Sequence, residues 1–502
     1  MGDRFPMGDR SFLLQLFYLY ILVLDIHLIT FVTMKKADKR LVLFTDAYPY
    51  GLGETFLHNE MPFTSNSFKE IIIYPLYIPN GERSVCREVP KNVTVKEPLL
   101  PFDHKEREKL LNAGLFNTAP LFFSFKEFFG REVYKSSEKI WLFFSYLLIL
   151  RSLLGNRRKM REIMECLTQM PSTAYFYWGD KSALIIPFLK KELHKRIAKL
   201  NRNGANHKMP PFVVRFHGSD VFEEAKGFLP FREMLYKEVD YAVAASRYGE
   251  EYIRSRYVNQ PGHLETFYLG SFDHNRDCPN LFPYNDILHP NVKPSGENAP
   301  NGPEAFNILS CSNAVEVKRL GIMASAMLFL EHDSELQDIL KENNISHICW
   351  THIGGGPLLE PLKQLIIDNS GNGINHIAYQ FKGHLPHNEV IEYYQSHYID
   401  LYLLTSRSEA VPIAIMEALS FGTPVIATDA GGVREMIVPE PQTPFCKLLP
   451  VDINGNDLAI AIKEWIKENS KKNCAIAARK EWEEKWSCSA NYTRFADFLK
   501  NL

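Results

Sequence analysis

Two sets of short apolar runs, separated by a stretch with no period, divide this chain. In the first set, residues 40–45, 68–79, 173–180, 212–220, 240–246 and 265–271 are rich in Val, Ile, Leu, Phe and Tyr, and most close on a polar or glycine-bearing turn. The second set opens at 306–312 (FNILSCS) and continues through 347–357 (HICWTHIGGGP), 377–384, 399–404 and 425–427. Runs of this length with turn residues at their ends read as buried strands. Helical spacing follows several of them, at 54–61, 413–421, 385–396 and 458–468, so the strands are expected to be parallel. Residues 193–210 (LHKRIAKLNRNGANHKMP) read as a basic, polar loop. Phe272 to Ala305, dense in Pro, Asn and Asp, is the expected linker. The pattern predicts an α/β chain of two domains, 34–290 and 305–480, followed by a terminal helix within 481–502.

Two features depart from that pattern. Ser11 to Thr33 is apolar and long enough to cross a bilayer, with Asp25 and His27 just past its middle. A central Asp costs about 2.5–3.5 kcal/mol on insertion scales. The segment is either a membrane anchor with its C-terminal side cytoplasmic, or an extension upstream of a native start at Met34. Residues 121–129 (LFFSFKEFF) and 141–154 (WLFFSYLLILRSLL) are aromatic and apolar, interleaved with Lys126, Arg131, Lys135 and Lys139. The longer run is too short to span a membrane. It reads either as half of a pair of core helices or as a segment lying in a membrane interface.

Composition narrows the function classes. With 502 residues, 45% hydrophobic, 23% charged and a net charge of −2, the chain is an ordinary globular protein with no basic excess for nucleic acid. Its eight cysteines form no C-x-x-C pair, which fits reduced thiols of a cytosolic protein better than a disulfide framework or a zinc site.

The richest chemistry lies in Thr405 to Ile437, TSRSEAVPIAIMEALSFGTPVIATDAGGVREMI. Ser406 and Ser408 are expected to end a strand and cap a helix, Pro412 suits its first turn, and Gly422 its stop. Glu409 and Glu417 stand eight residues apart. On a continuous helix that is about 12 Å, too far for one acid/base pair and suited to two ends of a long ligand. The amides of Ala410, Val411 and Ile413 would add a positive helix terminus. Elsewhere, Gly51 and Gly53 with Glu54 form a loop between strand and helix, Gly355 and Gly356 form another, and His217 and Asp220 follow a strand's C-terminal end.

The ordered string Glu409, Glu417, Ala418, Gly422-x-Pro424-Val425, Gly431-Gly432 and Glu435 resembles the signature of family 4 glycosyltransferases. The resemblance is dense over 306–440 and diffuse over 40–271. It implies a GT-B fold, two Rossmann-like domains facing each other across a cleft, and retaining transfer from a nucleotide-diphosphate sugar. Residue by residue, it implies that Glu417 meets the ribose, and that Glu409 with the amides of Ala410, Val411 and Ile413 holds the sugar. Lys318 and Arg319 would offset diphosphate charge, His217 would contact the transferred sugar, and the turn Phe381 to His384, with Gly383, would lie against the base. Gly51, Gly53, Glu54 and Asp220 would serve phosphate or acceptor. Two positions depart from the family: Ala410 stands where Gly is usual, and Asn313 where an Arg usually precedes the Lys by five residues.

No Asp-x-Asp motif occurs, so neither metal nor cofactor is expected. Expected partners are a nucleotide-sugar donor, a glycan or lipid-linked acceptor and a membrane surface. The expected setting is surface polysaccharide or glycolipid synthesis on the inner face of the cytoplasmic membrane. A sugar-nucleotide epimerase and a non-catalytic nucleotide-sugar-binding protein are the alternatives from other classes.

Overall fold

The computed structural model describes residues 37–274, 304–370, 376–437, 445–468 and 471–502, apart from residues 52, 82, 84, 85 and 116. The apolar stretch 11–33 and most of the expected linker lie outside the described residues.

The first sheet holds seven strands: β1 (Ala37–Thr45), β2 (Phe68–Pro75), β3 (Val93–Val95), β4 (Ser172–Phe176), β5 (Phe212–Phe216), β6 (Tyr241–Ala244) and β7 (His263–Thr266). The second holds six: β8 (Glu304–Cys311), β9 (Ile345–Ile353), β10 (Ile377–Gly383), β11 (Leu401–Leu404), β12 (Val425–Thr428) and β13 (Cys446–Leu449). Their orders are β3-β2-β1-β4-β5-β6-β7 and β10-β9-β8-β11-β12-β13, with every pairing parallel. Central strands such as β4, β5, β11 and β12 are buried along their whole length, as sheets covered by helices on both faces require.

Three local readings are corrected. Residues 193–202 are not loop but the end of a helix, Ile186–Arg202, because Ile186, Leu189, Leu193 and Ile197 form a buried stripe at helical spacing. The helix before β12 spans Ile413–Ser420 only, so residues 405–412 are extended loop and the 12 Å projection from Glu409 to Glu417 does not apply. Strands β3 and β13, at three and four residues and mostly half-buried, were not expected because neither forms a distinct apolar run.

The aromatic runs form the helices Ala119–Gly130 and Ser137–Gly155. Each packs one face inward: Phe143, Tyr146, Leu147 and Leu150 are buried in the first domain's core, and Phe123 and Phe128 of the shorter helix pack partly buried against it. Among the described residues, no helix is long and apolar enough to cross a membrane.

The last helix, Cys488–Asn501, lies on the first domain. Its Phe495 packs edge-on against Tyr175 of β4 and Phe267, with ring centroids 5.4 and 5.3 Å apart. Beneath it Arg215 of β5 pairs with Glu60 of the helix Thr55–Ser67, both within 1% of full burial, and its guanidinium stacks 4.2 Å from the Phe495 ring. A charge pair this deep fixes one arrangement of strand, helix and terminal helix, because each partner alone would be an uncompensated buried ion. Glu60→Ala is therefore expected to lower unfolding free energy by about 3–5 kcal/mol, read as a fall in the denaturation midpoint of the first domain.

Candidate active site

Each sheet reverses strand order once, between β1 and β4 in the first and between β8 and β11 in the second. Ligands of open parallel sheets bind beyond the strand C-termini at such reversals. In the second domain that place is a cavity of about 220 Å³, lined by Ser312, Lys318, Ser406, Glu409, Val411 and Ile413 among others. The Glu409 carboxylate receives Lys318 Nζ at 2.5 Å and the Ser406 hydroxyl at 2.5 Å. Ser406 thus orients Glu409 rather than capping the helix. Pro412 occupies the cap with an extended ψ of 110° and supplies no side-chain cap bond, so the amides of Ile413 and Ala414 begin the helix at the cavity wall.

Arg319 points away from this pair. Its guanidinium donates to the carbonyls of Thr405 at 2.8 Å, Val451 at 2.7 Å and Ser406 at 3.3 Å. The residue braces the loop that carries Glu409 while Lys318 faces the cavity. Two adjacent cations thereby take separate tasks.

The glycine turn after β9 lies against Ser312, one of the cavity's lining residues. A side chain on Gly356 would meet the Ala314 carbonyl oxygen at 2.6 Å, and one on Gly355 would meet His384 Cβ at 3.2 Å. The Gly354 amide donates to the Gly383 carbonyl at 2.8 Å, which joins this turn to the end of β10. Phe381 packs on the buried Trp350, 5.6 Å between centroids, so its ring faces the domain core. Glu417, one turn into the helix Ile413–Ser420, holds His387 Nε2 at 2.6 Å. That bond pushes the imidazole of His387 above its ordinary value.

In the first domain, Glu54 has a left-handed backbone, φ 53°, and turns its carboxylate inward. It accepts the amides of Asp46, Ala47 and Tyr48 at 3.0, 2.8 and 2.6 Å, and the Trp178 indole at 2.9 Å. These amides are therefore spent on Glu54 rather than offered to phosphate. Gly51 lies against Pro79, and Gly53 has open space around it. Asp220 is also a tie, accepting the His217 amide at 2.5 Å and the Gly179 amide at 2.8 Å, with its carboxyl pushed up to about 6 by burial.

His217 differs from these. Its ring sits 4.3 Å from Trp178 and 4.7 Å from Tyr177, and neither ring nitrogen has a protein partner. Burial, aided by Arg215, holds it neutral well below its ordinary range. Both nitrogens are buried, so this neutral imidazole holds one donor and one acceptor unpaired at a strand end.

The two domains touch here. A side chain at Gly218 would meet the Ala410 methyl at 3.0 Å, so Ala410 packs across the cleft against the loop after His217. Glu435 adds a second tie, accepting the amides of Arg247 and Tyr248 and the Tyr268 hydroxyl, each at 2.7 Å.

Sequence reading missed His387 and Asp46, and it gave Ser406 a capping role in place of its bond to Glu409. Asp46 follows β1 at the first sheet's reversal, and burial pushes its carboxyl up to about 7. Its position directly after the first strand was the available signal.

Residues 318–482 match the family model of glycosyl transferases group 1. The chain is 27% identical over 202 residues to the amylovoran biosynthesis glycosyltransferase AmsK of Erwinia amylovora, covering 33% of this chain and 44% of that one. It is 29% identical over 182 residues to the sulfoquinovosyl transferase SQD2 of Arabidopsis thaliana, covering 36% of this chain and 31% of that one. The matches thus span less than half the length of either relative. Anabaena HepE, solved in complex with UDP and glucose, superimposes with a TM-score of 0.51 at 13% identity, over 92% of this chain and 100% of that one. At that identity the likeness is one of fold, the GT-B pairing of two Rossmann-like domains.

The Glu417–His387 bond gives a direct test. Because the folded pKa of His387 lies above 6.5, the pair's contribution to stability is full below that pH and is lost as pH rises through the folded value. Glu417→Gln is expected to lower the titration midpoint of His387, followed by its ring C–H resonance.

Proposed function

We propose that this chain, whose residues 318–482 carry the group 1 glycosyltransferase module, transfers a sugar from a nucleoside-diphosphate sugar to a glycan or lipid-linked acceptor. Transfer retains anomeric configuration and needs no metal. The observation that carries the reading is the Lys318–Glu409 pair in a cavity at the second sheet's reversal, beside the first amides of the helix Ile413–Ser420.

As the bond between the anomeric carbon and the diphosphate oxygen breaks, its electron pair stays with the diphosphate, the acceptor's hydroxyl oxygen bonds to the anomeric carbon from the same face, and the hydroxyl proton passes to the departing diphosphate oxygen. Lys318 then exchanges Glu409 for a phosphate oxygen and offsets the growing charge, assisted by the amides of Val411 and Ile413. Glu409, released from the ammonium, accepts hydroxyl groups of the sugar. Glu417 accepts the ribose hydroxyls beside His387, and the turn carrying Gly355, Gly356, Gly383 and Phe381 forms the far rim. His217 approaches from the first domain, where the acceptor binds. The setting is synthesis of a surface polysaccharide or glycolipid at a cytoplasmic membrane face; the names of AmsK, a biosynthesis glycosyltransferase, and SQD2, a sulfoquinovosyl transferase, support the sugar transfer in that reading.

A thermal-shift screen across nucleoside-diphosphate sugars, followed by transfer to a panel of glycan and lipid acceptors, tests this. A ligand bound only by the native state raises the melting temperature. Donor binding with no transfer to any acceptor would instead indicate a binding protein.

Two further outcomes are expected. Lys318→Ala should lower kcat by about 10²–10³ with a smaller change in donor KM, because the charge it meets is greatest in the transition state. Arg319→Ala should instead lower thermal stability, since three carbonyls lose their donor. Activity should also survive EDTA; its loss and return with magnesium or manganese would contradict the metal-free reading.

A further inference from the structure

Among the described residues, ten of the nineteen large apolar side chains that remain exposed lie between residues 102 and 148. Exposed apolar residues scattered singly need no explanation, but a contiguous group does. On the helix Ala119–Gly130, Phe122, Phe125 and Phe129 recur at i, i+3 and i+7, and on Ser137–Gly155 so do Trp141, Phe144 and Leu148. Phe122 is 74% exposed, Trp141 69% and Phe125 68%. Phe128 joins the stripes, 5.3 Å from Phe129 and 6.3 Å from Phe144 between centroids. The inward faces of both helices already fill the core, so these outward rings are not needed to complete it.

Charge accompanies the rings. Residues 119–155 carry five cations to three carboxylates; with Arg151 and Glu127 both buried, four cations and two carboxylates remain toward the surface, whereas the whole chain is at −2. Beside Phe122 runs a largely apolar groove of about 480 Å³, whose lining holds Lys126, Arg131 and Lys237 with Glu127 and Glu233, Arg131 being paired with Glu223.

We propose that this face docks on the surface of an anionic lipid bilayer, with the aromatic rings at the headgroup level and the lysines on lipid phosphates. A second copy fits less well, because pairing the patch with itself would set one basic surface against another. The inference deepens the glycosyltransferase reading by naming where a lipid-linked acceptor is met. Its test nevertheless reads membrane contact and not sugar transfer, so either can fail without the other.

Of the six tryptophans only Trp141 is exposed, which makes it a local reporter. Full-length protein is mixed with phosphatidylcholine vesicles, with or without phosphatidylglycerol, whose acyl chains carry bromine as a quencher. Quenching is expected with anionic vesicles and lost in Trp141→Phe. Phe122→Ser with Phe125→Ser should weaken vesicle partitioning by on the order of tenfold or more. These positions are exposed, so the melting temperature should not move. Equal quenching in wild type and Trp141→Phe would overturn the proposal, since another segment such as residues 11–33 would then carry the contact. So would absent quenching, including the case in which a concentration-dependent dimer on gel filtration shields Trp141.

Discussion

The candidate site depends on how closely Gly431–Gly432 approaches the backbone of Glu409 and Ala410. The Gly432 amide donates to the Glu409 carbonyl at 3.0 Å, and a side chain on Gly432 would lie only 1.6 Å from the Ala410 carbonyl oxygen. Gly431, at φ 61°, would place a side chain 2.1 Å from the Glu409 carbonyl. No residue with a Cβ fits either position without moving that loop. The loop 405–412 has no helix or strand of its own, so this contact, the Arg319 guanidinium on the Thr405 and Ser406 carbonyls and the Ser406 hydroxyl fix where the Glu409 carboxylate sits. Once it is fixed, Lys318 has a defined partner and the cavity a defined charge pattern.

The same turn leads into Glu435, whose carboxylate takes two amides at the start of the helix Arg247–Arg256. An anion at a helix N-terminus is favoured by both the unpaired amides and the helix dipole. Here it also joins the second domain to the first. Ala410 packs toward Gly218 a short distance away, so the residues after β5 and the residues before the helix Ile413–Ser420 are held opposite one another. Structural ties and candidate chemistry thus alternate along one short string of sequence.

That alternation explains what the sequence revealed and what it hid. The strands were legible because central parallel strands are apolar throughout, and Thr405 to Ile437 was legible as a unit because its glycines and glutamates stand in fixed order. Individual roles were less so. Glu409 and Glu435 are both carboxylates of the string Thr405 to Ile437, yet one lies in a cavity and the other clamps two domains. Lys318 and Arg319 are neighbours, yet Arg319, with a left-handed backbone at φ 50°, turns its side chain to the carbonyls of Thr405, Ser406 and Val451. Glu54 and Asp220 carried the same signal as ligand-binding acids, but backbone amides up to 41 residues away in sequence take them up. Partner choice of that kind is tertiary, and no local spacing encodes it. The two aromatic helices were ambiguous for a related reason, since each buries one face and exposes the other.

The most direct measurement of the central claim is a crystal structure with a nucleoside diphosphate bound. The account predicts diphosphate oxygens at hydrogen-bond distance, about 2.7–2.9 Å, from Lys318 Nζ, with the Lys318–Glu409 contact opened and the ribose at Glu417. A nucleotide bound elsewhere, with the Lys318–Glu409 pair intact, would contradict it.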